Sequence, residues 1–391
     1  MNVGLLFYFK YCNFFIENIN EILIRLDIKP VKALDVIMPI GISFYTFETI
    51  TYVVDVYRKL HKPLNNYWDY QLYILLFPKL IAGPIVKFHD IADQIYGRFR
   101  YLTSDFILQG FYRFCIGLSK KIIIANNVGI VADTVFNGSI MDFSSSDIWL
   151  AALSYTLQIY FDFSGYSDMA IGLCKMMGFK ILENFDNPYT STSINEFWKK
   201  WHISLGNWMR EYLYIPLGGN RVSPPRMYLN LWTVFLLSGF WHGASWNFIL
   251  WGIYHGTFMI LERLFLLKVY QKIKILTIPL NFVIVLIGWV MFRLDDLNKI
   301  KLAYSKMFFM NPTFNNSLSI DEEQKYIILI GLFFSFCTLM PFIKKIEQKI
   351  FYSTYTLKWH LTMFLTSLIL LIISISYITA FNFNPFIYFR F

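Results

Sequence analysis

The chain has 391 residues, 56% hydrophobic, 20% aromatic and only 16% charged, with a mean hydropathy of +0.45 and a formal net charge of +9. Soluble domains carry about 25% charged residues, so this balance excludes a soluble enzyme as well as a disordered or collagen-like chain. Cys12, Cys115, Cys174 and Cys337 are scattered through apolar runs and are too few for a disulfide scaffold. Many Lys and Arg flank apolar segments, as membrane topology requires. No basic block with interleaved aromatics is present, so no nucleic-acid partner is expected, and lipid headgroups account for the excess charge.

The amino-terminal stretch Met1–Phe15 is apolar but short, is interrupted by Lys10 and has no charged region before it. It does not read as a signal peptide. It is either a short embedded piece or the point where the chain begins downstream of a longer start. Beyond it, a window of about 20 apolar residues, the length that crosses the hydrocarbon, marks candidate spans. They lie near 34–54, 70–88, 106–126, 147–163, 164–178, 228–241, 246–267, 277–294, 325–343 and 359–381. The pairs 147–163 with 164–178 and 228–241 with 246–267 read as broken by Gly and polar residues. Broken helices at membrane depth require protein or a water-filled cavity over the exposed backbone, so the middle of the chain is expected to line a cavity.

Between 179 and 227 the hydropathy falls, and the segment is too polar to span. Trp198, Trp201, Trp208, Tyr212 and Tyr214 mark it as interfacial, and Lys180, Lys199, Lys200, Arg210, Arg221 and Arg226 place it on the cytoplasmic side. Phe197, Trp201, Trp208 and Tyr212 would form one aromatic face of a helix. Ser193 followed by Glu196 fits a capping box ahead of it. A helix that only anchors the protein explains this pattern as well as a site does. His202 lies beside that face, where a histidine is commonly a hydrogen-bonded structural residue.

The run SGFWHGASWNFILWGIYHG sets His242 between two apolar stretches, at a depth where ionisable groups are costly and mark function. The small residues Gly239, Gly243 and Ala244 around it permit close approach by a helix or a substrate. A buried histidine bonded to a carbonyl across helices is the alternative. His255 would point well away from His242 on a continuous helix. His61, His89 and His360 sit in loops or at span ends. No closely spaced His or Cys ligand pair occurs, so no metal site is expected. In the YFDFSGYSD stretch, Asp162 and Asp168 place two carboxylates near a membrane boundary, and hydrogen bonding between helices accounts for them without a ligand.

FPKLIAGPIVKF (77–88), IYFDFSGYSDMAIGLCKMMGF (159–179), NPYTSTSINEFWKKWHISLGNWMREYLYIPLGGNR (187–221), SGFWHGASWNFILWGIYHG (238–256) and PFIYFRF (385–391) together resemble the membrane-bound O-acyltransferase family. The resemblance is to the bacterial branch with the alginate and peptidoglycan O-acetyltransferases. It implies an all-α polytopic protein of the cytoplasmic (inner) membrane, forming a single domain over 1–391. About nine to ten transmembrane or re-entrant helices of ordinary length would surround a central tunnel. It also implies about two further membrane segments ahead of the region GLLFYFKYCNFF.

The resemblance makes His242, of the WHG element, the catalytic histidine and His202, of the WHISL element, the second catalytic residue. The reaction implied moves an acetyl group from a thioester donor, cytoplasmic acetyl-CoA, to a hydroxyl of an envelope or exported polysaccharide, with no bound cofactor. An extracytoplasmic esterase-like protein is the implied partner. Lys199, Lys200 and Arg210 are candidates for the CoA phosphates, and Trp201, Tyr212, Asp162 and Asp168 for other donor or acceptor contacts. Headgroup contact explains the three basic residues equally well. Histidine can serve as general base or as acyl carrier. D-alanyl or another acyl group, a transporter with His242 in a proton relay, and a structural subunit are the rival readings; no repeated halves support the transporter.

Overall fold

The computed structural model describes residues 2–309, 318–380 and 385–387, and among these the regular structure is helical with a single isolated bridge, Phe185 to Trp201. Its principal helices are α1 (Cys12–Arg25), α2 (Ile42–Tyr57), α3 (Tyr67–Leu75), α4 (Phe88–Gly97), α5 (Ser104–Ser119), α6 (Asn126–Phe136), α7 (Ser145–Met176), α8 (Ile194–Lys200) and α9 (Ile203–Met209). They continue with α10 (Pro224–His242), α11 (Trp246–Leu261), α12 (Thr277–Arg293), α13 (Leu297–Phe308), α14 (Glu322–Phe336), α15 (Pro341–Tyr352) and α16 (Leu357–Ala380).

α7 is the axis of the molecule. The sequence suggests a break near Gly165, yet α7 runs unbroken for 32 residues, about 48 Å at 1.5 Å per residue. Its glycines face α5 instead of interrupting the helix. A Cβ on Gly117 of α5 would lie 2.5 Å from the Gly165 carbonyl oxygen, and one on Gly172 would lie 2.5 Å from that of Gly110. The two backbones therefore touch at both levels, which is how small residues bring membrane helices together. Packing offsets the propensity cost of each glycine, about 1 kcal/mol. The start of α7 is fixed by a capping box, Ser144 Oγ accepting from the Asp147 amide and Asp147 Oδ2 from the Ser144 amide.

α6, α12, α13 and α14 also pack on α7, and α16 covers α5. Among the described residues three helical stretches are long and apolar enough to cross a membrane: Ser104–Phe136, which joins α5 to α6 through a π turn at Lys120–Ala125, Lys274–Arg293 and Leu357–Ala380. A fourth candidate, Glu322–Leu339 with Pro341–Tyr352, bends by 94°. Pro341 sits in the first turn of α15 and Met340 before it is extended, so the helix cannot run through.

Two other expected spans are not continuous helices. Window 34–54 becomes helical only from Ile42. In window 70–88, α3 stops at Leu75 and the chain runs on through Pro78, Gly83 and Pro84 to α4, since proline withholds the amide a helix needs. The buried loop is tied to α2 by Lys79, whose Nζ lies 2.5 Å from Glu48 Oε2. Between α10 and α11 the expected break is present, at Gly243–Ser245.

Candidate active site

His242 is the last residue of α10, and the chain turns there because Gly243 is extended and α11 begins afresh at Trp246. Gly239, one turn earlier, lets α11 close in: a Cβ there would lie 2.2 Å from the Phe248 carbonyl oxygen. The imidazole is thus carried at a helix end inside the protein rather than on a helix face. Rings surround it, Trp241 at 5.0 Å, Phe292 at 5.1 Å and Trp251 at 5.5 Å between centroids. It faces a cavity of about 10 Å³ whose other walls are Ile159, Phe163, Trp201, Trp289, Phe292 and Ile387. Ile387 belongs to a short carboxy-terminal stretch pinned in place by Asp162, whose Oδ2 accepts the Ile387 amide at 2.9 Å.

His202 is buried, its centroid 6.3 Å from the Trp241 indole and 4.7 Å from the ring of Phe163, a wall of the His242 cavity. The single aromatic helix expected from 197 to 212 does not form. α8 and α9 are separate, broken at Trp201 and His202, where Trp201 is extended against Phe185 and His202 has φ +46°. A left-handed backbone on a residue with a Cβ costs about 1–2 kcal/mol, so the surroundings must hold it. Asn184 does so: its Oδ1 lies 3.1 Å from His202 Nδ1 and accepts from the Ser204 hydroxyl at 2.8 Å and amide at 3.2 Å. The Asn184 backbone carbonyl takes the Ile203 amide at 2.9 Å. Because a carboxamide oxygen only accepts, the proton is assigned to His202 Nδ1 and the ring lone pair to Nε2.

Of the capping box expected at α8, half is present. Ser193 Oγ accepts from the Glu196 amide at 3.0 Å, but the Glu196 carboxylate turns to the Thr192 amide and hydroxyl. The remaining orphan amides of this helix end, Ile194 and Asn195, are taken by the buried carboxylate of Glu262. That carboxylate thereby fixes the segment leading into Trp201 and His202.

The other sequence candidates divide. Trp201 lines the His242 cavity and packs on Trp289 at 4.8 Å. Tyr212 lies away from it, donating to Asp55 Oδ1 at 2.6 Å. Lys199 and Arg210 are exposed, and Lys200 pairs with Glu196 at 2.8 Å. Asp162 and Asp168 are committed to ion pairs: Asp162 with Lys121, and Asp168 with Lys120 at 2.6 Å and with Arg113 at 2.7 Å. His255 lies on α11 rather than on the helix of His242, yet both contact Trp251, His255 at 5.1 Å. The π turn presents Lys120 and Lys121 side by side to two different carboxylates of α7.

Sequence reasoning missed Asn184 and Ile387 as site residues. Ile387 lies in the PFIYFRF stretch but has no role assigned by sequence, and no motif flags Asn184. Asn184 gives a weak signal as a lone amide in an otherwise apolar and charged loop ahead of the WHISL stretch.

Residues 55–295, which include both imidazoles, match the model of MBOAT, the membrane-bound O-acyltransferase family. The chain belongs to that family. It is 46% identical over 302 residues to the alginate O-acetylase AlgI of Azotobacter vinelandii, covering 77% of this chain and 60% of that protein. It is 45% identical over 302 residues to AlgI of Pseudomonas aeruginosa, covering 77% and 57%. The peptidoglycan O-acetyltransferase of Helicobacter pylori is 34% identical over 432 residues, covering 100% of this chain and 81% of that protein. The chain thus spans about three fifths of the length of the alginate O-acetylases it matches. Family membership and the apolar helices together make it a membrane protein, and the matched residues include His242 and His202, both close to the Trp241 indole.

Proposed function

We propose that this membrane-bound O-acyltransferase moves an acetyl group from a thioester donor, acetyl-CoA supplied from the cytoplasm, to a hydroxyl of an envelope or exported polysaccharide. The observation that carries the reading is the place of His242, within the family-matched residues, at the wall of a narrow cavity lined by apolar and aromatic side chains. His242 is the only ionisable lining residue among those described. The acetyl group is proposed from the likeness to the alginate O-acetylases. A D-alanyl group would bring an ammonium to walls that hold no carboxylate, a costly burial.

In this reading His242 acts as general base. It takes the proton of the acceptor hydroxyl as that oxygen attacks the thioester carbonyl, then returns the proton to the departing thiolate. Rings packed around His242 limit the access of water that would hydrolyse the thioester. His202, with its lone pair on Nε2, is the second proton-handling group. The segment 179–227 is assigned to the cytoplasmic face of the inner membrane, where exposed Lys199 and Arg210 meet the CoA phosphates. Delivery to the polysaccharide is assigned to an extracytoplasmic esterase-like partner, in keeping with the acetyl transfer named for the relatives.

The test is to express wild type and His242→Ala with the partner gene in a host without such an acyltransferase and to measure base-released acetate from the polysaccharide. Acetate from wild type alone, at equal protein level in the membrane, is the expected result. Equal acetate from both, above an empty-vector control, would overturn the catalytic role and favour a structural or transport function.

A further inference from the structure

The residue that interrupts the apolar amino-terminal stretch, Lys10, reaches the end of the helix that bears His242. It lies in the π turn Phe7–Tyr11 ahead of α1. Its Nζ donates to the Trp241 carbonyl at 2.6 Å, to the His242 carbonyl at 3.1 Å and to Ser43 Oγ of α2 at 3.1 Å. The same ammonium lies 5.8 Å from the Trp241 ring centroid. An ammonium has three protons, and these three acceptors use them all.

The last carbonyls of a helix have no partner within it, and the negative end of its dipole gathers there. α10 ends at His242, and the extended Gly243 gives it no left-handed cap. Lys10 supplies what that end lacks. Its partners are two carbonyls and a hydroxyl rather than a carboxylate, so the charge is directed at the helix terminus.

We infer that Lys10 is a positioning residue for acyl transfer. It clamps the α10 terminus through the Trp241 and His242 carbonyls and so fixes the Trp241 indole and the direction of the His242 ring. The inference rests on the transfer reading of His242. It also gives the amino-terminal segment a function in the site, since that segment is held against α10 by stacking of Tyr11 on Phe240 at 4.3 Å.

The test compares Lys10→Met, which keeps the stem and removes the charge and donors, with Lys10→Arg, which keeps charge and donors. Inverted membrane vesicles holding the full chain and its partner are supplied with acetyl-CoA, and amide hydrogen exchange is followed over 238–248 and over α7. In Lys10→Met, exchange over 238–248 rises while α7 is unchanged. kcat falls about 10- to 100-fold, the scale of a small misplacement of a reacting group, with KM for acetyl-CoA unchanged. Lys10→Arg restores most of both.

Wild-type exchange over 238–248 or wild-type kcat in Lys10→Met overturns the inference. So does faster exchange throughout the protein without rescue by Lys10→Arg, which is general destabilisation. His242→Ala run alongside separates the two readings: if it keeps activity, the transfer role fails, while the exchange result still reports whether Lys10 holds the helix end.

Discussion

The two sides of α7 solve the same problem differently. Toward α5, buried polar groups are held by ions: Arg113, Lys120 and Lys121 are matched against Asp162, Asp168 and Glu183. Toward α10, α11 and α12, they are held by rings: His202, His242 and His255 sit among Trp198, Trp241, Trp251, Trp289, Phe163 and Phe292. The ionic side locks helices, since each charge is satisfied by a specific opposite charge on another element. The aromatic side surrounds the imidazoles with rings, and among the described residues the walls of the His242 cavity hold no carboxylate.

The strongest way to break this comparison is on the ionic side. Asp168→Ala leaves Arg113 with only Glu183, and Lys120 without the partner seen here. Removing one member of a buried ion pair costs about 3–5 kcal/mol. Unfolding in detergent, followed by a thermal melt, should show a large drop in midpoint, with poor recovery of folded protein. A near-wild-type melt would mean that these charges face water and that the wall between α5 and α7 is not the structural element described.

On the aromatic side the largest effect short of His242 itself should come from Asn184. Asn184→Leu removes the acceptor that orients His202 Nδ1 and leaves the Ser204 hydroxyl and amide without it. Acetyl transfer is expected to fall by about 100-fold, the scale of general acid–base catalysis, while the melt falls much less than for Asp168→Ala. Equal damage to stability and activity would make His202 a structural histidine.

How much of this was legible follows from the residues. The membrane class came from composition, and His242 from one ionisable group between apolar runs flanked by small residues. The division of labour around α7 did not. Gly165 reads as part of a break because sequence shows a missing side chain but not the backbone of α5 that fills its place. Phe197, Trp201, Trp208 and Tyr212 fit a helical period, yet the bridge from Trp201 to Phe185 and the left-handed His202 split the helix. Those are tertiary contacts, which periodicity does not carry. Asp162 and Asp168 were visible as carboxylates, but their partners lie on α5 and on the π turn after it, far away in the chain. Asn184 carries only a weak signal, Ile387 sits in the PFIYFRF stretch without a role of its own, and the reach of Lys10 has no local signature. The terminal residues 388–391 of the PFIYFRF stretch lie outside the described residues.

A smaller effect sharpens the acyl selectivity of the aromatic side. Ile387→Ala opens one wall of the His242 cavity. One methylene of pocket space is worth about 1–3 kcal/mol of discrimination. The ratio of propionyl to acetyl transfer, measured with both thioesters in competition, is expected to rise about tenfold. An unchanged ratio would place acyl selection elsewhere.

The smallest effect expected lies outside the spans, where ions and an imidazole meet at a partly wet surface. His89 Nδ1 is 2.9 Å from Asp55 Oδ2, and its Nε2 faces Asp90 Oδ1 at 3.4 Å and Glu211 Oε2 at 3.8 Å. Lys87 joins Glu211 at 2.9 Å on the same surface and opposes the charging of the ring. The hydrogen bond to Asp55 nevertheless raises the His89 pKa above the usual histidine value. A group whose pKa is higher folded than unfolded stabilises fully below its unfolded pKa, about 6.5. That contribution is then lost as pH rises through the folded value. Melts of wild type should therefore weaken slightly as pH rises above that point, and His89→Gln should lose this slope while keeping its melting point at high pH. Because Asp55 also accepts from Tyr212, the substitution tests the imidazole rather than the carboxylate. A slope that survives in His89→Gln would assign the titration to Asp90, whose carboxyl burial raises above the usual range, and the ion-held and ring-held parts of the protein would then differ in pH response for a reason other than histidine.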